Sequence, residues 1–260
     1  MRRPRPRVAL GGALVVFTVA LACTTVPTDP NAVLSLGLTP PQLPSMVVFD
    51  SLHDTLGNVV PLTATAFNNQ GESIPGAPIR YLVLTGRENV AIDPLSGKMF
   101  ATDTGAARVL AFVGGIQTLP VTIPVVLHPD SLSPLDSSAY TLDYNKAAGR
   151  DTTWPLRTVL KHITAFDTTG ISPYRLQYVI TYPSSNTNLN PTNPQIVNAA
   201  LVPQLVDTTV GGGLSTLQLK LTLLADTLTD TMGVNVFAYQ QDHTPVPGSP
   251  VHFTITLHIH

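Results

Sequence analysis

Residues 59–84 read VVPLTATAFNNQGESIPGAPIRYLVL, and this stretch decides the fold. Val60, Leu62, Ala64 and Ala66 alternate with Thr63 and Thr65, a period of two that puts apolar side chains on one face of an extended strand and hydroxyls on the other. Asn68, Asn69, Gln70 and Gly71 then supply residues that tolerate a left-handed backbone and bond nearby amides, so the chain turns. Pro75 and Gly76 mark a second bend before the apolar run Ile79 to Leu84. From Met46 onward no helical period lasts beyond a turn or two, and the spacing predicts further strands at Val90–Ile92, Lys98–Ala101, Arg108–Val113 and Leu119–Val126. Strands this short, separated by Gly and Pro, predict a β-sandwich.

Two internal echoes extend this reading down the chain. Thr65, Ala66, Phe67 and Gly71 recur as Thr164, Ala165, Phe166 and Gly170. Ile74, Pro75, Gly76, Pro78, Ile79 and Tyr81 recur without a gap as Val246, Pro247, Gly248, Pro250, Val251 and Phe253. The expectation is two copies of one domain and a reused hairpin.

The residues Leu62, Thr63, Ala64, Gly71, Pro75, Gly76, Ala101, Thr104, Gly105, Ala107 and Ala111, followed by Gly114 and Gly115, resemble bacterial immunoglobulin-like domains of the invasin and intimin type over about Met46 to Leu127. Residues Ser131 to His260 resemble the family less, lack the Gly-Thr-Ala signature and carry an Asn- and Pro-rich insertion from Pro183 to Pro194. The resemblance implies an all-β fold of two tandem immunoglobulin-like antiparallel sandwiches, at 46–128 and 129–260, used as a spacer, adhesin segment or envelope component. It is a resemblance of architecture, since paired cysteines and a strand-C tryptophan are lacking.

Upstream, Arg2, Arg3, Arg5 and Arg7 precede an apolar run from Val8 to Ala22 that ends at Cys23, the sole cysteine. A positive n-region, a short apolar h-region and a small-residue cleavage site read as a removable export signal over 1–22, cut between Ala22 and Cys23. Val19 to Cys23 resembles the lipobox of bacterial lipoproteins, although Ala20 and Leu21 stand in reverse order to the commonest pattern. The resemblance implies that the Cys23 thiol carries a diacylglyceryl group and that further acylation, such as palmitate, holds the protein in a membrane. Thr24 after the cysteine implies the outer membrane or cell surface. Two or more chains anchor stably, whereas one binds marginally. Pro27, Pro30, Pro40, Pro41 and Pro44 predict a tether over 23–45 with a reach of about 70 Å. A first strand at Val33 to Leu38 is the competing reading of that segment.

Without residues 1–22 the formal balance is 10 basic against 16 acidic residues, and no Lys/Arg cluster remains, so nucleic acid is not an expected partner. Catalytic candidates fare poorly. Asp103-Thr104-Gly105 spells an aspartic-protease motif and Asp167-Thr168-Thr169-Gly170 approaches a second, but Asp-Thr occurs at seven positions and is a turn habit here. No serine sits in a Gly-x-Ser-x-Gly elbow, and Gly211, Gly212 and Gly213 lack the lysine and helix of a phosphate loop, reading as a flexible hairpin. His252, His258 and His260 share one face of a final strand and are weak metal candidates, with a solvent-facing polar row as the alternative. Asp226 and Asp230 lack a calcium loop's glycine. Trp154 and Tyr140, Tyr144, Tyr174, Tyr178 and Tyr182 are either a glycan or peptide platform or core filling.

The sequence therefore predicts a membrane-anchored, extracytoplasmic, non-catalytic module for surface binding, adhesion or spacing, without a cofactor and with an envelope protein or glycan as its partner. The alternative is an unlipidated secreted or periplasmic protein with a carbohydrate or peptide site on the second domain, built around the 183–194 insertion.

Overall fold

The computed structural model describes residues 32–144, 152–181, 195–221 and 229–259, and over these the chain is all-β. The signal region, Cys23, the 183–194 insertion, Tyr182, Asp226 and His260 lie outside the described residues.

The first half carries β1 (Ser35–Thr39), β2 (Met46–Val47), β3 (Thr63–Phe67), β4 (Arg80–Thr85), β5 (Val90–Ile92), β6 (Met99–Ala101), β7 (Gly105–Val113), β8 (Ile116–Gln117) and β9 (Val121–Val126). One sheet runs β2-β9-β7-β4 with β8 on β7, and β1-β3 and β5-β6 form two smaller ladders. The expected alternation holds in β3, where Leu62 and Ala66 are buried while Thr63 and Thr65 face solvent. Leu62 joins Met46, Val90, Met99, Val109 and Ile123 in one core, with Ala64 packed against it.

The second half carries β10 (Ser131–Pro134), β11 (Ala139–Tyr144), β12 (Thr152–Ile163), β13 (Thr168–Gly170), β14 (Arg175–Thr181), β15 (Gln195–Val197), β16 (Val206–Thr208), β17 (Leu214–Leu221), β18 (Thr229–Phe237) and β19 (Val251–Ile259). Sheet β10-β12-β17-β15, with β13 on β12, faces sheet β11-β19-β18-β14-β16. Leu156, Leu160, Leu217 and Leu219 from one meet Leu176, Tyr178, Val234, Val236, Phe253 and Ile255 from the other. Each such buried side chain stabilises the sandwich by roughly 1.5–3 kcal/mol. Pairing is antiparallel except for β2 with β9 and β11 with β19, which run parallel.

Three sequence expectations need correction. Residues 35–39 are not tether: β1 pairs antiparallel with β3, and Leu38 packs on the first core, because Leu36 and Leu38 alternate with small residues as a strand requires. The first echo is not structural. Phe67 ends a strand, whereas Phe166 is fully exposed in a turn closed by the Thr164 amide on the Asp167 carbonyl (2.9 Å). Gly211–Gly213 is a single 3-10 turn, whose Gly213 lies against the Leu160 carbonyl, and not a flexible hairpin.

The second echo is structural and wider than the sequence showed. One five-residue turn occurs four times, headed by Asp54, Asn68, Asn198 and Gln240. In each, the head amide donates to the carbonyl four residues on (2.7–3.0 Å), and the fourth residue's amide donates back to the head (2.9–3.3 Å). That fourth residue has positive φ in every copy: Gly57, Gly71, Leu201 and His243.

The two halves are packed against each other. Along β2 and β9, Met46 and Val125 enter the first core, while their neighbours Val47 and Val126 enter the second. The two-residue alternation of a strand thus feeds both cores from one ladder.

Candidate functional site

Where the halves meet, two of the four turns touch. The Gly57 Cα faces the backbone of Asp242 and the Cβ of His243, close enough that an added methyl would stand 2.8 Å from each. Ser45 Oγ donates to the Pro173 carbonyl (2.6 Å), and Gln240 Nε2 donates to the Pro129 carbonyl (2.9 Å). Behind them the linker is pinned to β12. Asp130 accepts from the Ile163 amide (2.9 Å), His128 Nδ1 lies 3.1 Å from its carboxylate, and His162 Nδ1 lies 2.6 Å from it. Burial raises the Asp130 carboxyl, but the Ile163 amide and the two imidazoles outweigh it and hold the group below its ordinary range.

Around the touching turns lies a narrow crevice of about 30 Å³, lined from the first half by Leu43 to Ser45, Asp54, Thr55 and Gly57 and from the second by Tyr174, Arg175, Tyr239, Gln240, Gln241 and His243. Its polar groups are unevenly satisfied. The Tyr174 phenol, pushed up chiefly by burial, donates to the Tyr239 carbonyl (2.7 Å). Gln240 Oε1 and Gln241 Oε1 are buried and accept no hydrogen bond among the described residues. Gln241 itself is only 5% exposed. Arg175 has no carboxylate within ion-pair distance among the described residues, whereas Asp54 is occupied by its own turn, accepting from the Leu56 and Asn58 amides and from Asn58 Nδ2. The Asn58 side chain is the main reason its carboxyl lies below the usual range.

A row of rings leads into this crevice. In β18 and its extension Val234, Val236 and Ala238 point into the core, so Asn235, Phe237 and Tyr239 point outward. Phe237 and Tyr239 are parallel within 3°, with centroids 6.0 Å apart. Tyr239 and His243 are parallel within 5°, at 4.4 Å. Register places Gln177 beside Phe237, and His252 beside Asn235, whose Oδ1 lies 2.6 Å from His252 Nδ1.

The residues singled out from sequence fall elsewhere. Asp103 and Asp167 occupy turns in different halves, and each carboxylate accepts the amide of the threonine that follows (2.7 Å), so no dyad forms. Tyr174 and Tyr178 are buried, and Tyr140 packs on Trp154 and stacks on Phe253, so these aromatics fill the second core and make no platform. Tyr144 closes β11. Of the three histidines only the His252 ring is described; it is exposed and bonded to Asn235. His258 lies farther along β19, opposite Thr229. Asp230 sits in β18. Among the described residues no group of three His, Cys, Asp or Glu could hold a metal. The ring row was missed, although its signal was present: Asn235, Phe237 and Tyr239 are the odd members of an alternating strand.

The fold and the site together describe a tandem β-sandwich protein with a polar, ring-lined crevice at its junction. Neither a protein-family model nor a curated protein matches the chain. Among solved structures it is similar to domains 4 and 5 of the S-layer protein SbsC, at 14% identity and TM-score 0.28, covering 86% of this chain and 98% of that one. It is also similar to the Yersinia pseudotuberculosis adhesin InvE, at 16% identity and TM-score 0.36, covering 85% and 58%. A third is protocadherin gammaB7 EC3-6, at 12% identity and TM-score 0.28, covering 87% and 48%.

Proposed function

We propose that the chain is an exported lipoprotein, held in a membrane through acylated Cys23, whose two sandwich units act on the outer side as a non-catalytic binding and spacing module. The leader pattern and the lone cysteine at its end support the anchor. The observation that carries the module reading is the junction, where Val47 and Val126 extend the second core into the first half and two turns lock together. Such a joint holds a fixed distance and angle between an anchor and a presented surface, which is what a spacer must do.

Detergent-phase partitioning of the full chain tests the anchor. Wild type enters the detergent phase and Cys23→Ala stays in the aqueous phase; if both remain aqueous, the anchor is wrong. Protease shaving of intact cells tests the exposure, with loss of the sandwich units from the surface fraction as the expected result.

A further inference from the structure

A chain anchored at Cys23 keeps its first sandwich close to lipid, and on that reading one face of the unit is suited to meet it. We propose that the outer face of β4 and β7 docks on the anionic phospholipid headgroups of the membrane that holds Cys23.

The face is built by strand alternation. Tyr81 and Val83 of β4 and Val109 and Ala111 of β7 enter the first core, so Arg80, Leu82, Arg108, Leu110 and Phe112 point away from it. Register sets Leu82 opposite Leu110 and Arg80 opposite Phe112, with Arg108 opposite Thr85 beyond a bulge. An apolar centre therefore lies between two arginines, and Leu82 and Leu84 remain 38% and 40% exposed. A third arginine, Arg87, reaches the margin of the sheet, where its Nε donates to the Val83 carbonyl (3.0 Å). The three are scattered in sequence and gathered by the fold, and none has a carboxylate within ion-pair distance among the described residues. Asp50, Asp54, Asp93 and Asp103 of the same half are engaged by amides of their own turns.

Position favours a membrane over an acidic peptide. Fully extended, the stretch from Cys23 to Ser35 reaches about 40 Å at most, so the first sandwich stays within roughly its own width of the bilayer. That stretch enters β1, which lies beside β7, the strand carrying Arg108. A peptide strand finds little backbone to pair with at β4, because the Tyr81 amide already donates to the Pro94 carbonyl (3.0 Å) and the Val83 carbonyl is taken by Arg87. Headgroups need no backbone partner. Guanidinium groups take phosphate in a bidentate fashion, while Leu82 and Leu84 face the acyl boundary. Each arginine near an anionic surface adds about fivefold in affinity, which is weak alone yet sufficient for a surface held within tether reach.

The test uses the mature chain from residue 23 as Cys23→Ala, which keeps every described residue and carries no acyl group, in cosedimentation with vesicles. At about 50 mM NaCl it should bind vesicles of equal parts phosphatidylglycerol and phosphatidylcholine but not phosphatidylcholine alone, and about 500 mM NaCl should release it. Arg80→Gln or Arg108→Gln should each lower the partition coefficient about threefold to fivefold, and the triple change with Arg87→Gln about fiftyfold. Replacing Arg157, Lys161 and Arg175 of the second half by Gln removes the same charge and should cost no more than about twofold. Failure to bind the anionic vesicles, an equal loss in the second-half triple, or tighter arginine-dependent binding of polyglutamate than of vesicles would overturn the proposal. Since every sample lacks the acyl group, these outcomes leave the detergent-phase test of the anchor untouched.

Discussion

One backbone position recurs four times with a left-handed conformation, filled twice by glycine, once by leucine and once by histidine. Gly71 faces open space, and Gly57 faces the other half of the molecule. Leu201 and His243 adopt the same φ with a side chain attached, at a strain of roughly 1–2 kcal/mol each. Gly71→Ala should therefore cost about 1 kcal/mol through backbone strain alone. Gly57→Ala should cost about 1–2 kcal/mol more, because its methyl meets the Asp242 backbone and must part the halves. Leu201→Gly should run the other way and be neutral or stabilising by about 0.5 kcal/mol, since strain relief exceeds the entropy glycine adds. Urea melts of the three variants check the order; equal losses for Gly57→Ala and Gly71→Ala would show that the turns do not bear on each other.

The turn is also the element that links side chain to pH. Asn198 Oδ1 accepts the Ala200 and Val202 amides (3.0 and 3.1 Å), so Asn198→Ala should cost about 1 kcal/mol. Where the capping group is a carboxylate, protonation competes. The Asn58 side chain holds Asp54 down, the Leu95 amide Asp93, and the Thr244 hydroxyl Asp242, all below 3.8. A carboxyl lowered in the folded state contributes stability that is full above its unfolded value and is lost as pH falls through the folded one. Thermal midpoints should therefore stay level from pH 9 to about 5 and fall below about 4. A midpoint that rises on acidification would contradict this. These elements were partly legible: the alternation in 60–67 and the Pro-Gly pairs at 75–76 and 247–248 carry their own chemistry. The third copy carries half of that chemistry: Asn198 caps it as Asn68 caps its own turn, but Leu201 stands where glycine is expected, so the pattern is incomplete. β1 was legible as the alternation of Leu36 and Leu38 and stood as the competing reading of its segment, and its pairing with β3 is what decides between strand and tether. The ring row was written as plain alternation, but which face of β18 meets solvent depends on β14 and β19.

At the scale of the whole molecule, the question is whether two cores behave as one. Val47 and Val126 belong to the second core while their neighbours belong to the first, so neither half can open without exposing the other. Scanning calorimetry of the full chain should give one transition for the described fold. Val126→Ser, which puts a hydroxyl in that shared layer at a cost of about 1–3 kcal/mol, should split it into two. Two transitions already in the wild type would mean that the joint is weaker than its packing. The parallel ladder of β11 and β19, which runs from Ala139 opposite Thr254 to Tyr144 opposite Ile259, has a mechanical meaning. When strands running side by side in the same direction are drawn apart from opposite ends, every hydrogen bond between them is sheared at once, whereas a hairpin unzips one rung at a time. Tension applied between the start of β11 and the end of β19 therefore shears this ladder as a whole instead of unzipping it.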